Sequence, residues 1–268
     1  MEKQLIEALI QQGRDSMKMP IEDPEYRSDQ DLKLPQPLLA KPAMRPITID
    51  LPIDFKNLPI ENDFLKIINT RRSIRSYSEE KVSLLELSYL LWCTQGVKEI
   101  RGHNYATIRT VPCGGARHQF ETYMILQNVE SLEDGYYHYL PMSHKIECLS
   151  AHKDLKPLIS KALGDQVWAA KANINFFYSV VAYRCEWRYG IYAHRVALID
   201  AGHISQNMYL AVTSIGLGGC GVGYLNEAVL DEAFELDGKE EFIFYAFPVG
   251  KIDKDLKLNE KDPYEFIR

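Results

Sequence analysis

The segment Tyr192–Ile215 constrains this chain most, because its apolar residues fall on nearly every side of the helix that its spacing predicts. Such a helix cannot lie on a surface with one face in water; it belongs at the centre of a core or of an interface. Before it, Ile174–Arg184 is rich in aromatic and β-branched residues and reads as a strand. After it come a glycine-rich turn, Gly216–Gly223, and a buried strand, Phe242–Val249. Glu121–Val129 and Gly135–Leu140 read as further strands. Helices are expected over Asp63–Asn69, over Ser83–Gln95 with a serine N-cap, over Ala151–Leu163 and around Glu227–Phe234. Helices and strands mixed in this order, with no internal repeat, predict an α+β fold around one sheet.

The first 60 residues differ from the rest. Met1–Gly13 places Leu5, Ile6, Leu9 and Ile10 at helical spacing and reads as a short amphipathic helix, not as a signal peptide with a continuous apolar stretch. Residues 17–56 contain seven prolines, at 20, 24, 35, 37, 42, 46 and 52. Proline removes backbone donors and disfavours helix in the residue before it. Leu34, Leu38, Leu39, Ile47, Ile49 and Leu51 are too apolar for a free linker, so an extended arm lying on something is expected, with a disordered tail as the alternative. Residues 1–60 are therefore read as a helix and arm, and 61–268 as one folded domain.

A net charge of −6 argues against a general nucleic-acid or anionic-membrane footprint. No apolar run of about 18 residues is present, so no membrane-spanning helix is expected. Five cysteines, at 93, 113, 148, 185 and 220, never form a Cys-x-x-Cys pair and fit reduced thiols in a cytoplasmic protein.

Against this acidic background, Arg71-Arg72-Ser73-Ile74-Arg75 puts three guanidinium groups and a hydroxyl into five residues. Guanidinium binds phosphate in a bidentate manner and stays charged at any working pH, so the cluster is either an anion site or a solvated basic turn. In Pro112-Cys113-Gly114-Gly115, paired glycines let backbone approach a flat ligand closely, and Cys113 is read as structural or cofactor-lining in preference to nucleophilic. Gly216-Leu217-Gly218-Gly219-Cys220-Gly221 matches a dinucleotide fingerprint literally but follows a helix where that motif needs a strand. It remains a loop with free backbone N–H groups, or a helix cap and tight turn. Lys251, at a strand end, either reaches a phosphate or is solvated. The seven histidines show no metal-ligand spacing, no metal is expected, and no Gly-x-Ser-x-Gly elbow supports a serine hydrolase.

Taken together and in order, these segments resemble the nitroreductase superfamily, and within it the SagB-type dehydrogenases. The resemblance runs from about Arg27 to Lys251. It includes Ser28-Asp29-Gln30, Pro35-Gln36-Pro37, Arg71–Arg75, Arg109–Ala116 with Cys113 in place of serine, Gly135-Tyr136-Tyr137-His138-Tyr139, Asp200-Ala201-Gly202-His203, Gln206-Asn207 and Pro248-Val249-Gly250. It implies an α+β sandwich, a mostly antiparallel sheet flanked by helices, in a domain-swapped homodimer with FMN at its interface. It also implies ping-pong hydride transfer involving NAD(P)H or an organic donor. By that resemblance Arg71, Arg72, Ser73 and Arg75 would hold the FMN phosphate and ribityl chain. Pro112, Cys113, Gly114 and Gly115 would line the flavin ring from one side, and Gly218 and Gly219 from the other. Azoline-oxidising members carry a Lys-Tyr pair where this chain has Arg188-Tyr189. Arginine cannot act as a base, so either Arg188 orients or neutralises an anionic substrate and Tyr189 handles a proton, or Arg188 forms a salt bridge and Tyr189 merely packs. The leading expectation is a reductase of nitro or quinone compounds. The alternatives are an azoline-peptide dehydrogenase and a redox-inactive flavin-binding scaffold in a peptide-modifying complex.

Overall fold

A computed structural model describes residues 3–18, 25–257 and 263–266. In chain order the elements are α1 (Lys3–Ser16), β1 (Ile49–Asp50), α2 (Phe64–Thr70), α3 (Leu84–Gln95), β2 (Val97–Arg101), β3 (Ala106–Arg109), β4 (Phe120–Leu126), β5 (Gly135–Leu140) and β6 (Lys145–Ala151). Then follow α4 (Lys156–Ala162), β7 (Ile174–Val181), α5 (Ala182–Tyr189), α6 (Ala193–Ser214), β8 (Leu217–Gly219), α7 (Glu227–Ala233) and β9 (Glu241–Lys251). Seven strands form one antiparallel sheet in the order β1-β6-β5-β4-β7-β9-β8, and β2 and β3 form a separate hairpin.

Both faces of the sheet are covered, so its inner strands carry apolar residues continuously instead of alternately. Phe120, Met124 and Leu126 of β4 with Phe176 and Tyr178 of β7 pack toward α3 and α6. Tyr123, Ile125 and Phe177 pack the other way, against Ile159 and Leu163 near α4 and Leu230 and Phe234 near α7. This is the α+β sandwich expected. The helix starts are set locally: Ser83 and Glu86 form a reciprocal capping box on α3, and Asp63 caps α2 through the Lys66 N–H. Helix α6 buries Ala197, Ala201, Ile204, Met208 and Val212, while Leu198 and Ile199 are half exposed on its other side.

Several boundaries depart from expectation. The strand read to Arg184 stops at Val181, and residues 182–189 turn into α5. The reason is pairing: Val180 is opposite Phe120, the first residue of β4, and Val181 is opposite Glu241, the first residue of β9. Past the ladder only the Ala182 N–H to Glu240 O bond, at 3.0 Å, continues it before the chain turns into α5. The helix read over Ala151–Leu163 covers only 156–162, because Lys145–Ala151 is strand β6 paired with β5. The strand read to Val129 ends at Leu126. The β2–β3 hairpin was not anticipated; β2 is largely exposed and lacks an apolar alternation.

The arm lies on its own chain. Leu39 and Leu51 are buried. The Lys41 N–H donates to Glu121 Oε1 at 2.7 Å, and the Met44 and Arg45 N–H groups donate to Glu147 at 2.9 and 2.6 Å. Prolines leave the arm few backbone donors, and these three are met by carboxylates projecting from the sheet. Met1, Glu2, Pro20 and Pro24, which the arm and helix readings include, lie outside the described residues. Among the described residues no helix is long and apolar enough to cross a membrane, and the five cysteines are free.

The carboxylates under the arm belong to a buried ionic cluster. Arg184 Nη2 is 2.6 Å from Glu121 Oε1, and His138 Nδ1 is 2.8 Å from Glu147 Oε1, all four side chains being at most 4% exposed. Burial alone would raise the Glu121 carboxyl, but Arg184, His138 and Arg109 outweigh it and hold the group well below the usual carboxylate range.

Candidate functional site

The expected site residues fall into two groups, each positioned by a different part of α6. In the first, the chain leaves α2 at Arg71 and runs beside the edge strand β8. Ser73 forms a parallel bridge to Gly219, and the Ile74 N–H donates to Gly219 O at 3.0 Å. Ile74 inserts where Gly218 has no side chain; a Cβ there would stand 2.6 Å from Ile74 Cγ2. The Arg71 guanidinium lies 5.1 Å over the Tyr209 ring and that of Arg75 5.6 Å over Trp168. Neither has a carboxylate partner among the described residues. Ser73 Oγ is 3.0 Å from the Tyr209 hydroxyl, which also accepts the Gly221 N–H at 3.0 Å. Arg72 and Arg75 are exposed.

The glycine-rich loop is thereby corrected. Leu217–Gly219 is a strand paired with β9, and the N–H groups of Cys220, Gly221 and Val222 are engaged by Pro248 O, the Tyr209 hydroxyl and Ala246 O. The loop of free donors expected over Gly216–Gly221 is thus absent: β9 pairs with 217–219 and takes the N–H groups of Cys220 and Val222, and Tyr209 takes that of Gly221. Lys251 is not simply solvated either: its ammonium is 2.6 Å from Glu86 Oε1 in a largely buried pair.

The second group is the turn 112–118. Asp200, buried on α6, organises it. Its carboxylate accepts the Gly114 N–H at 3.2 Å, the Gln119 Nε2–H at 3.1 Å and the Cys113 thiol at 3.0 Å. Burial and Asp200 push the Cys113 thiol far above its ordinary range, so it serves as a hydrogen-bonding side chain and not as a nucleophile. Pro112 is exposed at the entrance to the turn. Gly115 takes φ +55° and lies so close to α5 that a Cβ would stand 2.6 Å from both Arg188 Nε and the Tyr189 hydroxyl. The fold therefore joins the paired glycines to the Arg188-Tyr189 pair, which lie 73 positions apart between Gly115 and Arg188. Asp200 and Tyr209, the residues that organise the two groups, are nine positions apart on α6, or about 14 Å of helix rise.

Sequence reasoning missed Asp200 as an organiser, Tyr209 as the anchor of the arginine strap, and Tyr105 and Arg117 beside Arg188. Asp200 is the sole acidic residue of α6, and that was the available signal for it; the others carry none.

His118 closes this turn: its N–H donates to Cys113 Sγ at 2.9 Å and its carbonyl accepts from Arg184 at 3.0 Å. Burial, with Arg109, Arg184 and Arg117 nearby, depresses its imidazole to about 3. A folded value below the unfolded 6.5 means that the unfolded chain binds more protons between those limits, so this histidine removes stability as pH falls from about 6.5 toward 3. Thermal unfolding followed from pH 7.5 to pH 4.5 should show a falling Tm, with a shallower slope in His118→Phe. Parallel slopes in the two proteins would exclude His118 as a contributor.

The sequence pattern of the nitroreductase family matches residues 68–251. The nitroreductase-like protein MJ1384 of Methanocaldococcus jannaschii is 32% identical over 203 residues, covering 76% of this chain and 96% of that protein. The microcin B17-processing protein McbC of Escherichia coli is 28% identical over 113 residues, 41% of this chain and 42% of its own length. Among solved structures, a nitroreductase-type protein of Ralstonia eutropha superposes with a TM-score of 0.62 at 22% identity, over 82% of this chain and 95% of its own. An antiparallel sheet sandwiched by helices, an arginine strap after the first helix of the domain, and these matches together place the chain in the nitroreductase family of oxidoreductases.

Proposed function

We propose that the protein is an FMN-dependent oxidoreductase that moves a hydride between a nicotinamide or organic donor and a small acceptor, such as a nitro compound or a quinone. The observation that carries this reading is the arginine strap. Arg71 and Arg75 hold their charge over Tyr209 and Trp168 without a carboxylate partner among the described residues, on backbone latched to Gly219. Fixed, uncompensated guanidinium groups in an acidic chain fit a terminal phosphate dianion. No strand precedes Gly216 to make a pyrophosphate turn, which favours FMN over FAD.

In this reading Arg71, Arg72, Ser73 and Arg75 hold the phosphate end, and Pro112, Cys113, Gly114, Gly115, Gly218 and Gly219 border the ring. Lys251, paired with Glu86, is left out of the phosphate contacts. When bound, FMN would supply reversible two-electron chemistry. Tyr189 would hold or release a proton at its hydroxyl, beside Gly115, and Arg188 stays a fixed positive charge. The two groups face different stretches of α6, and α6 leaves Leu198 and Ile199 half exposed beside a groove lined by Phe242 and Phe244. Both features support a homodimer in which a second copy completes each site.

A second reading, oxidation of a peptide azoline, is favoured by the likeness to McbC. One experiment addresses both. The purified protein should be yellow, release FMN on heating, bleach with NADH or NADPH, and recolour with a nitro compound or quinone. Release of FAD, or no uptake of added FMN, would refute the cofactor. Retention of colour with both nicotinamides, followed by bleaching with an azoline peptide, would favour the second reading. Retention of colour with every donor would leave a redox-inactive flavin-binding scaffold.

A further inference from the structure

The Arg188-Tyr189 end of α5 holds more positive charge than its surroundings compensate. Arg117, only 1% exposed, stacks between Tyr105 and Trp187, its guanidinium carbon 5.0 and 5.3 Å from the two ring centroids. Its N–H groups go to carbonyls, Gly115 O at 3.3 Å and Tyr105 O at 2.6 Å. Arg188 gives Nη1–H to the Tyr105 hydroxyl at 2.8 Å and lies 5.6 Å over the Tyr189 ring. Neither guanidinium has a carboxylate partner among the described residues. Asp31 is within electrostatic range of Arg188, but its Oδ2 is held by the Ser28 N–H and hydroxyl at 3.1 and 2.8 Å.

Tyr105 shows what this charge is arranged for. It comes from the loop between β2 and β3 and is exposed. Its hydroxyl oxygen accepts from Arg188 and also from Gln30 Nε2, at 2.9 Å, a residue of the arm. Two donors occupy the two lone pairs of a phenolic oxygen, so its own proton points elsewhere, and it has no acceptor among the described residues. A hydroxyl polarised by a guanidinium is a strong donor toward an anionic acceptor. The outcome is one O–H without an acceptor among the described residues, beside a guanidinium whose hydrogen-bonding neighbours are the neutral hydroxyls of Tyr105 and Tyr189: donors side by side, with net positive charge behind them.

We propose that Arg188 and Tyr105 bind the carboxylate of an organic substrate, one carboxylate oxygen on the Arg188 guanidinium and the other on the Tyr105 hydroxyl, with Gln30 and Arg117 as positioning residues. Two donors side by side match the two oxygens of a carboxylate; a phosphate presents two oxygens in the same way, and competition by acetate and by inorganic phosphate separates the two. The subsite adjoins Gly115 through Arg188, next to the Tyr189 hydroxyl. That the ligand is a substrate rests on the oxidoreductase reading above; the anion site does not. Gln30 gives the arm a role in binding, since it orients the Tyr105 hydroxyl that meets the carboxylate.

Calorimetric titration of the purified protein with benzoate and with benzamide, its neutral counterpart, tests this. Benzoate should bind more tightly by roughly tenfold or more, the ratio expected of one charge-assisted hydrogen bond, and added salt should reduce the difference. Tyr105→Phe keeps the ring that stacks on Arg117 and should narrow the benzoate preference without changing benzamide affinity. Arg188→Lys keeps the charge but loses the fork, and should bind benzoate more weakly while still preferring it to benzamide. Equal binding of the two ligands by the unmodified protein would overturn the proposal. So would stronger competition against benzoate by inorganic phosphate than by acetate, which would point to a phosphate-bearing ligand. Flavin content of the same samples separates this from the oxidoreductase reading. Benzoate selection by a protein unable to take up flavin would support the anion site and remove the oxidoreductase reading, whereas flavin-loaded protein without selection removes only the carboxylate site.

Discussion

Alanine at both Arg71 and Arg75 is expected to strip the flavin from the protein while leaving the fold in place. Each charge-assisted hydrogen bond to a phosphate contributes about 1.5–3 kcal/mol, so loss of two should weaken binding by about a hundredfold or more. The fold should persist because, among the described residues, the two guanidinium groups make only ring contacts, with Tyr209 and Trp168, of roughly 0.5–1 kcal/mol each at exposed positions. The backbone of the strap is held independently, by Ile74 N–H on Gly219 O. Gel filtration followed by the ratio of flavin to protein absorbance reads the result, with circular dichroism as the control for folding. Stoichiometric FMN retained by the double variant at micromolar concentration would make these arginines bystanders.

Arg184→Met should be among the most damaging single substitutions for stability. Arg184 lies in α5 but reaches back to Glu121 on β4, at 2.6 Å, and to His118 O. Removing it leaves Glu121, 1% exposed, without its principal cation. Breaking a buried ion pair from one side costs about 3–5 kcal/mol. At roughly 2–4 °C per kcal/mol for a domain of this size, the Tm should fall by about 10 °C. The same carboxylate accepts the Lys41 N–H, so the arm should loosen as well, and become more open to proteolysis around residues 37–46. Glu121→Gln in addition removes the uncompensated charge and should recover part of the loss. A Tm within 2 °C of the unmodified protein would show that Glu121 finds another partner and that the pair does not hold α5 in place.

Elements whose character depends on their own residues were legible. Helix α6 carries its apolar surround in sequence, α3 carries its capping box, and β7 and β9 carry continuous apolar runs because both faces of the sheet are covered. The arginine strap was legible for the same reason: three guanidinium groups in five residues are a local fact in an acidic chain. Elements defined by a partner were not. Nothing within Ile174–Arg184 marks Val181 as its end; the starts of β4 and β9 do. Leu217–Gly219 became a strand because β9 runs on to Lys251 and offers it an edge.

The site divides along the same line. Residue types alone determined that Arg71–Arg75 can take an anion and that Arg188 cannot serve as a base, since guanidinium chemistry does not depend on where the chain places it. Only the tertiary structure decided what these groups meet. It set Arg71 on Tyr209, gave Cys113 to Asp200 instead of leaving it reactive, and brought Gly115 against Arg188 and Tyr189. It also seated Gln30 of the arm on Tyr105, 75 residues away. Such pairings are long-range: the free energy that selects them comes from burial of the sheet and of α6 as a whole, which no short stretch of sequence expresses.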